Sequence, residues 1–219
     1  MRLCIRPGAL AGLCAMGIKF LVGVATVVWL LVIALGYSAL LDYGFKPGVA
    51  GHPPAEWPSI SKLLRNRDGP TLVITIHPHC PCSRASLAEL SLILSEHAGR
   101  AKAYVLFVRP AGVAKGWEQT DLWRTAAAMP GVIPVPDESG REASRFGAAT
   151  SGQTMLYDRN GMLRFSGGIT AARGLYGDSA GGEMIAALLN DRPHSGHAPV
   201  YGCPLLNRRD APMLSACVK

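Results

Sequence analysis

The stretch TLVITIHPHCPCSR, residues 71–84, decides how this chain is read. Its first six residues are apolar or β-branched, carry no charge and follow the turn signal Asp68-Gly69-Pro70, so they predict a buried strand. Beyond the histidines and cysteines of residues 77–83, the segment 84–98 sets Leu87, Leu90 and Leu94 at helical spacing, and Gly99 closes it. Residues 103–108 (AYVLFV) predict a second strand, ended by Arg109 and Pro110. Strand, helix and strand in so short a length make a βαβ unit, which implies a parallel pair with a right-handed crossover. Cys80 and Cys82 therefore stand where a buried strand gives way to a helix.

That position has chemical consequences. Free backbone N–H groups and the helix dipole favour a thiolate and lower a cysteine pKa. Pro81 suits a first helical turn, where its missing N–H costs nothing. His77, His79 and Arg84 are the nearby cations expected to hold the thiolate pKa down. A thiolate is the nucleophile of disulfide exchange, so the placement points to that reaction.

Working outward, residues 20–41 (FLVGVATVVWLLVIALGYSALL) contain no charge and are long enough to cross a bilayer as a helix. The apolar core of a cleaved signal is shorter, though cleavage after Gly36 or Ser38 is the alternative. Arg2, Arg6 and Lys19 precede the span, while Asp42 and Lys46 nearly cancel after it. The positive-inside rule then leaves residues 1–19 in the cytoplasm and exports the rest to the periplasm, where thiols can form disulfides. Residues 42–58 are rich in Pro and Gly and read as a linker. The domain expected over 59–192 continues with a helix at 119–129, a short strand at 132–135 and a helix at 138–146. A hairpin follows, its arms at 154–157 and 162–165 joined by Asp158-Arg159-Asn160-Gly161, in which Asn-Gly suits a tight turn. A Gly-rich loop at 167–182, expected to be a flexible surface loop, and a helix at 183–189 complete an α/β sandwich around a mixed sheet. Residues 193–219 are a tail with two cysteines.

The strand, HPHCPCS (77–83), the amphipathic helix and the later TMLYDRNG (154–161) resemble membrane-anchored bacterial thioredoxin-like proteins of the TlpA/ResA kind. More narrowly, the first of these motifs with SGGIT (166–170) and GCPL (202–205) resembles bacterial proteins labelled RedB. The resemblance covers about residues 60–190. It implies an α/β thioredoxin-like fold, a mixed central sheet flanked by helices, preceded by one transmembrane helix. It also implies thiol–disulfide oxidoreductase activity on protein thiols or disulfides of the periplasm, with no cofactor. Two departures stand out. The spacing is Cys-x-Cys rather than Cys-x-x-Cys, so a Cys80–Cys82 ring would be short and strained. The family's cis-proline, which faces the thiols in a loop that presents backbone to substrate, falls on Gly152, making Ser151, Gly152 and Gln153 the expected substrate loop.

Cys80 is the expected nucleophile, with Cys82 or Cys203 resolving. Cys203 has a competing assignment as half of a structural disulfide with Cys217. A rival reading makes the chain a Sco-like carrier of copper or zinc through His79, Cys80, Cys82 and Cys203, without turnover. A third makes it a tethered interaction domain that its cysteines only staple together. Cys4 and Cys14 read as reduced bystanders, and the tail pair His194 and His197 as a solvated loop. Trp57, Trp117 and Trp123 read as packing or interface residues. The net charge of +7 is spread over scattered Arg and Lys, with Arg208-Arg209 the only adjacent pair, which argues against nucleic acid. The positions a peroxiredoxin pattern would fill hold Ile74 and His77, the Gly-rich loop lacks a phosphate-binding Lys, and no Ser/His/Asp set or carboxylate pair points to hydrolysis.

Overall fold

The computed structural model describes residues 7–206 except Pro193 and Ser195, with no side-chain description for residues 7–17. Two compact units divide the chain, Met1–Tyr43 and Gly44–Lys219. The first is dominated by α1 (Pro7–Phe45), whose segment Ile18–Phe45 has the length and composition to cross a membrane, a test that a signal sequence also passes. The helix is longer than the charge-free run, because nothing between Leu41 and Phe45 breaks it.

In the larger unit, β1 (Thr71–Ile76) is buried along its whole length and lies at the middle of a six-stranded sheet. It is followed by α2 (Ser83–Glu96), β2 (Lys102–Arg109), α3 (Asp121–Ala127), β3 (Val132–Glu138) and α4 (Arg141–Arg145). Then come β4 (Thr154–Tyr157), β5 (Leu163–Gly167), α5 (Ala180–Leu189) and the two-residue β6 (Gly196–His197). The sheet order is β3-β2-β1-β4-β5-β6, with β1, β2 and β3 parallel, β4 antiparallel to β1, and β5 antiparallel to β4. A parallel βαβ pair joined edge to edge with an antiparallel hairpin, helices on both faces, is the thioredoxin-like arrangement.

Alternation along β1 and β2 sends side chains into two cores. Leu72, Ile74, Ile76, Val105 and Phe107 meet Leu87, Leu90 and Ile93 of α2 and Ile185 of α5. Val73, Tyr104 and Leu106 meet Phe146, Met155 and Tyr157 on the opposite face. Both faces are covered, which is why β1 reads as a continuous apolar run rather than an alternating one.

Several boundaries differ from the sequence reading, each for a local reason. β3 runs to Glu138 despite Pro134 and Pro136, because it is an edge strand and both prolines, two residues apart, turn their missing N–H to the same side. α5 begins at Ala180, inside the Gly-rich run, where Ser179 Oγ accepts the Gly182 N–H as an N-cap. The 167–182 stretch is a surface loop only in its middle, at 174–178, and its two ends are packed into the domain. Ile169, Thr170 and Ala172 are buried, and a Cβ on Gly167 would stand 2.5 Å from the Ala198 backbone. His197, expected in a solvated loop, is the last residue of β6 beside β5.

Residues 46–58, expected as a linker, lie along the larger unit as a strap. Gly48 N–H donates to Val200 O and His52 N–H to Gly147 O, both at 2.8 Å, and Trp57 N–H donates to Gly161 O at 2.7 Å. Leu163 N–H donates back to Ala55 O. Gly51 and Gly147 face each other so closely that a Cβ on Gly51 would lie 2.1 Å from Gly147 O. The Trp57 ring packs edge-on against Phe146 at 5.0 Å and Tyr157 at 5.3 Å. Trp57→Ala removes two aromatic contacts and a core lid, so it should cost about 2–4 kcal/mol. Urea unfolding of residues 44–219 checks this; an unchanged midpoint would mean that the strap is not part of the fold.

Candidate functional site

The C-terminal end of β1 delivers the chain into a turn, His77 to Cys82, before α2 starts at Ser83. Cys80 N–H donates to His77 O at 3.0 Å and Ser83 N–H to Cys80 O at 3.1 Å, so Pro81 sits in the turn, two residues ahead of the helix. This places Cys80 inward, 2% exposed, and leaves Cys82 half-buried.

Opposite lies the loop before β4. Gly152 N–H donates to Thr75 O at 2.7 Å, and Thr75 N–H to Gln153 O at 3.0 Å, which continues the β1–β4 pairing to the site. Gly152 has φ +89°, a left-handed backbone, and its peptide is trans, as is every peptide among the described residues. Ser151 Oγ accepts the His77 N–H and lies 2.8 Å from Ser83 Oγ, tying the loop to both the turn and the helix start.

Over this loop runs the segment 200–205, from beyond β6. Ser151 N–H donates to Cys203 O at 2.8 Å, and Leu205 N–H donates to Ala149 O at 3.0 Å, so the segment pairs antiparallel with 149–151. The pairing brings Cys203 Sγ to 2.9 Å from Cys80 Sγ, across 123 positions of sequence. Ser151, Gly152 and Gln153 are all buried, Ser151 beneath the chain's own segment, and their backbone donors are in use.

The electrostatics rank the three thiols. Burial pushes the Cys80 thiol up, but donation from the Cys203 thiol and backbone, the Ser83 hydroxyl and the Cys82 N–H outweighs it, leaving Cys80 below the ordinary thiol range. Cys82 is raised by burial and by the negative charge of Cys80, with Arg173 opposing. Cys203 is pushed up to about 12 by burial, by its hydrogen bond to Cys80 and by the charges of Cys80 and Cys82, again opposed by Arg173. Cys80 is the most acidic thiol of the set, and Cys203, hydrogen-bonded to it, holds its proton most tightly.

The expected tuning groups lie elsewhere. Arg84 turns outward to pair with Asp121 at 2.6 Å, both side chains about half exposed or more. His79 packs at a tilt of 54° against Trp117 with ring centroids 4.3 Å apart, and His77 meets the same ring edge-on at 5.8 Å. His77 Nδ1 accepts the His79 N–H, and burial, then the charge of His79, lowers the His77 pKa, so His77 is neutral near pH 7. The cation beside the thiols is Arg173, from the Gly-rich stretch. No spacing in the sequence singled it out, since it comes 91 positions after Cys82. Among the described residues, no three His, Cys, Asp or Glu side chains are arranged to hold a metal ion, and His79 of the copper or zinc set faces Trp117. Cys217, the other suggested partner of Cys203, and Cys4 lie outside the described residues.

No family model matches the chain, and no curated protein sequence matches it. Solved structures share its fold. A hypothetical protein from Sinorhizobium meliloti 1021, SMc02350, is 20% identical at a TM-score of 0.50, covering 74% of this chain and 96% of its own. An uncharacterized conserved protein from Geobacillus kaustophilus is 20% identical at a TM-score of 0.52, covering 75% and 93%. A secreted Mycobacterium tuberculosis disulfide oxidoreductase, described as homologous to Escherichia coli DsbE, is 11% identical at a TM-score of 0.39, covering 56% and 81%. The first two share this chain's fold over about three quarters of its length; the third is too remote to add to that.

Two outcomes test the site. Alkylation followed by mass spectrometry should give pH midpoints in the order Cys80, Cys82, Cys203, with Cys80 below a free thiol, because a lowered pKa exposes thiolate at lower pH. A Cβ on Gly202 would stand 1.9 Å from Ser151 O, so Gly202→Ala should lift the segment and sharply reduce oxidative Cys80–Cys203 crosslinking. Crosslinking at the wild-type yield would contradict the packing described above.

Proposed function

We propose that this chain is a thiol–disulfide oxidoreductase held at the outer face of a bacterial inner membrane by α1, with Cys80 and Cys203 as its redox couple. The observation that carries the reading is the 2.9 Å approach of the two sulfurs, one of them the most acidic thiol of the site. Cys80 is covered by Cys203 itself, so lifting the 200–205 segment exposes the nucleophile.

The reaction balances in two exchanges. The Cys80 thiolate attacks one sulfur of a partner disulfide, forming a mixed disulfide and expelling the other sulfur as a thiolate that takes up a proton. Cys203 then gives up its proton and attacks Cys80 Sγ, forming the Cys80–Cys203 bond and releasing the second partner thiol. The partner gains two electrons and the protein dithiol loses them; an external thiol donor returns the enzyme to the reduced state, and the same steps reversed oxidise a partner. The substrates are protein thiols or disulfides of the periplasm. Ser83 and Ser151 orient the site, and Cys82 is the third thiol, in contact with both Cys80 and Arg173.

Cysteine variants of the full chain in detergent test this against a model disulfide such as oxidised glutathione. Cys80→Ser should abolish exchange. Cys203→Ser should complete the first step and accumulate a glutathione adduct on Cys80. Cys82→Ser should retain most of the turnover. Full activity in Cys80→Ser, or an adduct resolved equally fast without Cys203, would refute the couple.

A further inference from the structure

Arg173 stands between the two cysteine-bearing segments. Its Nη1 donates to Gly202 O, the carbonyl immediately before Cys203, and its guanidinium also hydrogen-bonds the Cys82 sulfur at the start of α2. Its own backbone is fixed, with the Arg173 N–H donating to Gly44 O at 3.0 Å and the neighbouring Ala172 buried. A planar, permanently charged fork fits such a bridge, because it makes directed hydrogen bonds to two groups at once.

We propose that Arg173 is the positioning residue of the resolving step: it holds the Cys203 segment against Cys80 and drives Cys203 to its thiolate only after Cys80 has been consumed. The inference rests on the Cys80–Cys203 couple proposed above. In the resting site, the Cys203 proton is held by burial, by the hydrogen bond to Cys80 and by the negative charges of Cys80 and Cys82, against the single opposing charge of Arg173. Once Cys80 Sγ is bonded to a partner sulfur it carries no charge and accepts no strong hydrogen bond, so two of the restraints vanish together. Arg173 remains. The proton leaves Cys203 to solvent, and with the segment back in its resting position, where the two sulfurs stand 2.9 Å apart, the new thiolate faces the sulfur it must attack. Before the first exchange the same balance keeps Cys203 protonated, so it does not compete with Cys80 for the partner disulfide.

Cation removal has a computable effect on rate. Each unit of rise in the Cys203 pKa cuts its thiolate about tenfold below that pKa, and the greater nucleophilicity of the more basic sulfur returns about threefold of it. The net is roughly threefold slower resolution per unit.

The test uses the full chain in detergent, with oxidised glutathione as probe and quenched-flow mass spectrometry following the Cys80 adduct. In wild type, adduct decay should rise with pH and level off well below pH 12, the midpoint marking Cys203 beside a neutral Cys80. In Arg173→Gln, adduct formation should not slow, while decay should slow at least threefold and its midpoint move to higher pH. Arg173→Lys should keep the wild-type midpoint, since the charge survives, with a slower plateau from the lost fork. Decay and pH midpoint unchanged in Arg173→Gln would overturn the proposal. So would a wild-type decay that climbs without a break to pH 12, a result that needs no variant to fold. Failure of the redox couple itself would be recognised separately, by wild type forming no adduct on Cys80.

Discussion

The structure depends on β1 being buried on both faces. A strand with no solvent-facing side must have a neighbour on each edge and a layer above and below, which leaves it only the centre of the sheet. Its C-terminal end then emerges between layers, next to the start of the helix that must cross back to β2. A cysteine placed there is shielded from water yet within reach of donors from the helix start and from the Cys203 segment. That combination explains why Cys80 is both the most buried and the most acidic of the three thiols: burial opposes ionisation, and directed donors from Ser83, Cys82 and the Cys203 segment outweigh it.

Around this centre, the rest of the chain closes the site from outside. The strap 46–58 and the segment 200–205 are joined by Gly48 and Val200, and both rest on the loop 147–153. Thr150 takes part in both contacts, donating through its hydroxyl to Val49 O and bridging to Pro204. The residues just after α1 therefore brace the segment that carries Cys203. Gly51, Gly147 and Gly202 are placed where backbones approach too closely for any Cβ, and the site is assembled from these close approaches as much as from its sulfur atoms.

The legible part of this in the sequence was what periodicity and local chemistry encode. The βαβ unit, the hairpin and the handover at Cys80 follow from β-branched runs, Leu spacing and an Asn-Gly turn, and each stands where it was read. What sequence order cannot encode is which distant segments meet. Arg84 is a near neighbour of the cysteines in the chain but points outward to Asp121, because a residue two places past Cys82 lies on another side of the helix. Arg173 belongs to a stretch whose glycines suggested mobility. The glycines at its two ends instead serve packing, since Gly168 and Gly181 contact backbone so tightly that a Cβ on Gly181 would stand 1.9 Å from Gly168 O, whereas Gly174 and Gly177 beside Arg173 stand in open space at positive φ. Composition distinguishes poorly between glycine for freedom and glycine for contact.

The departure from a Cys-x-x-Cys spacing has a structural counterpart in Cys203. A resolving thiol must reach the nucleophile without distorting the turn that makes the nucleophile acidic. Cys82 is one residue removed, and bonding it to Cys80 would close a small ring through Pro81, whose φ is fixed, at the point where α2 begins. Cys203 comes in on an independent segment held by backbone hydrogen bonds to 149–151, and its sulfur reaches Cys80 with the turn unchanged. With Cys82 fixed at the cap of α2, a thiol from the far end of the domain takes the facing position, and its segment covers the loop 149–151. The same contact that sets the second sulfur beside the first therefore also helps bury it.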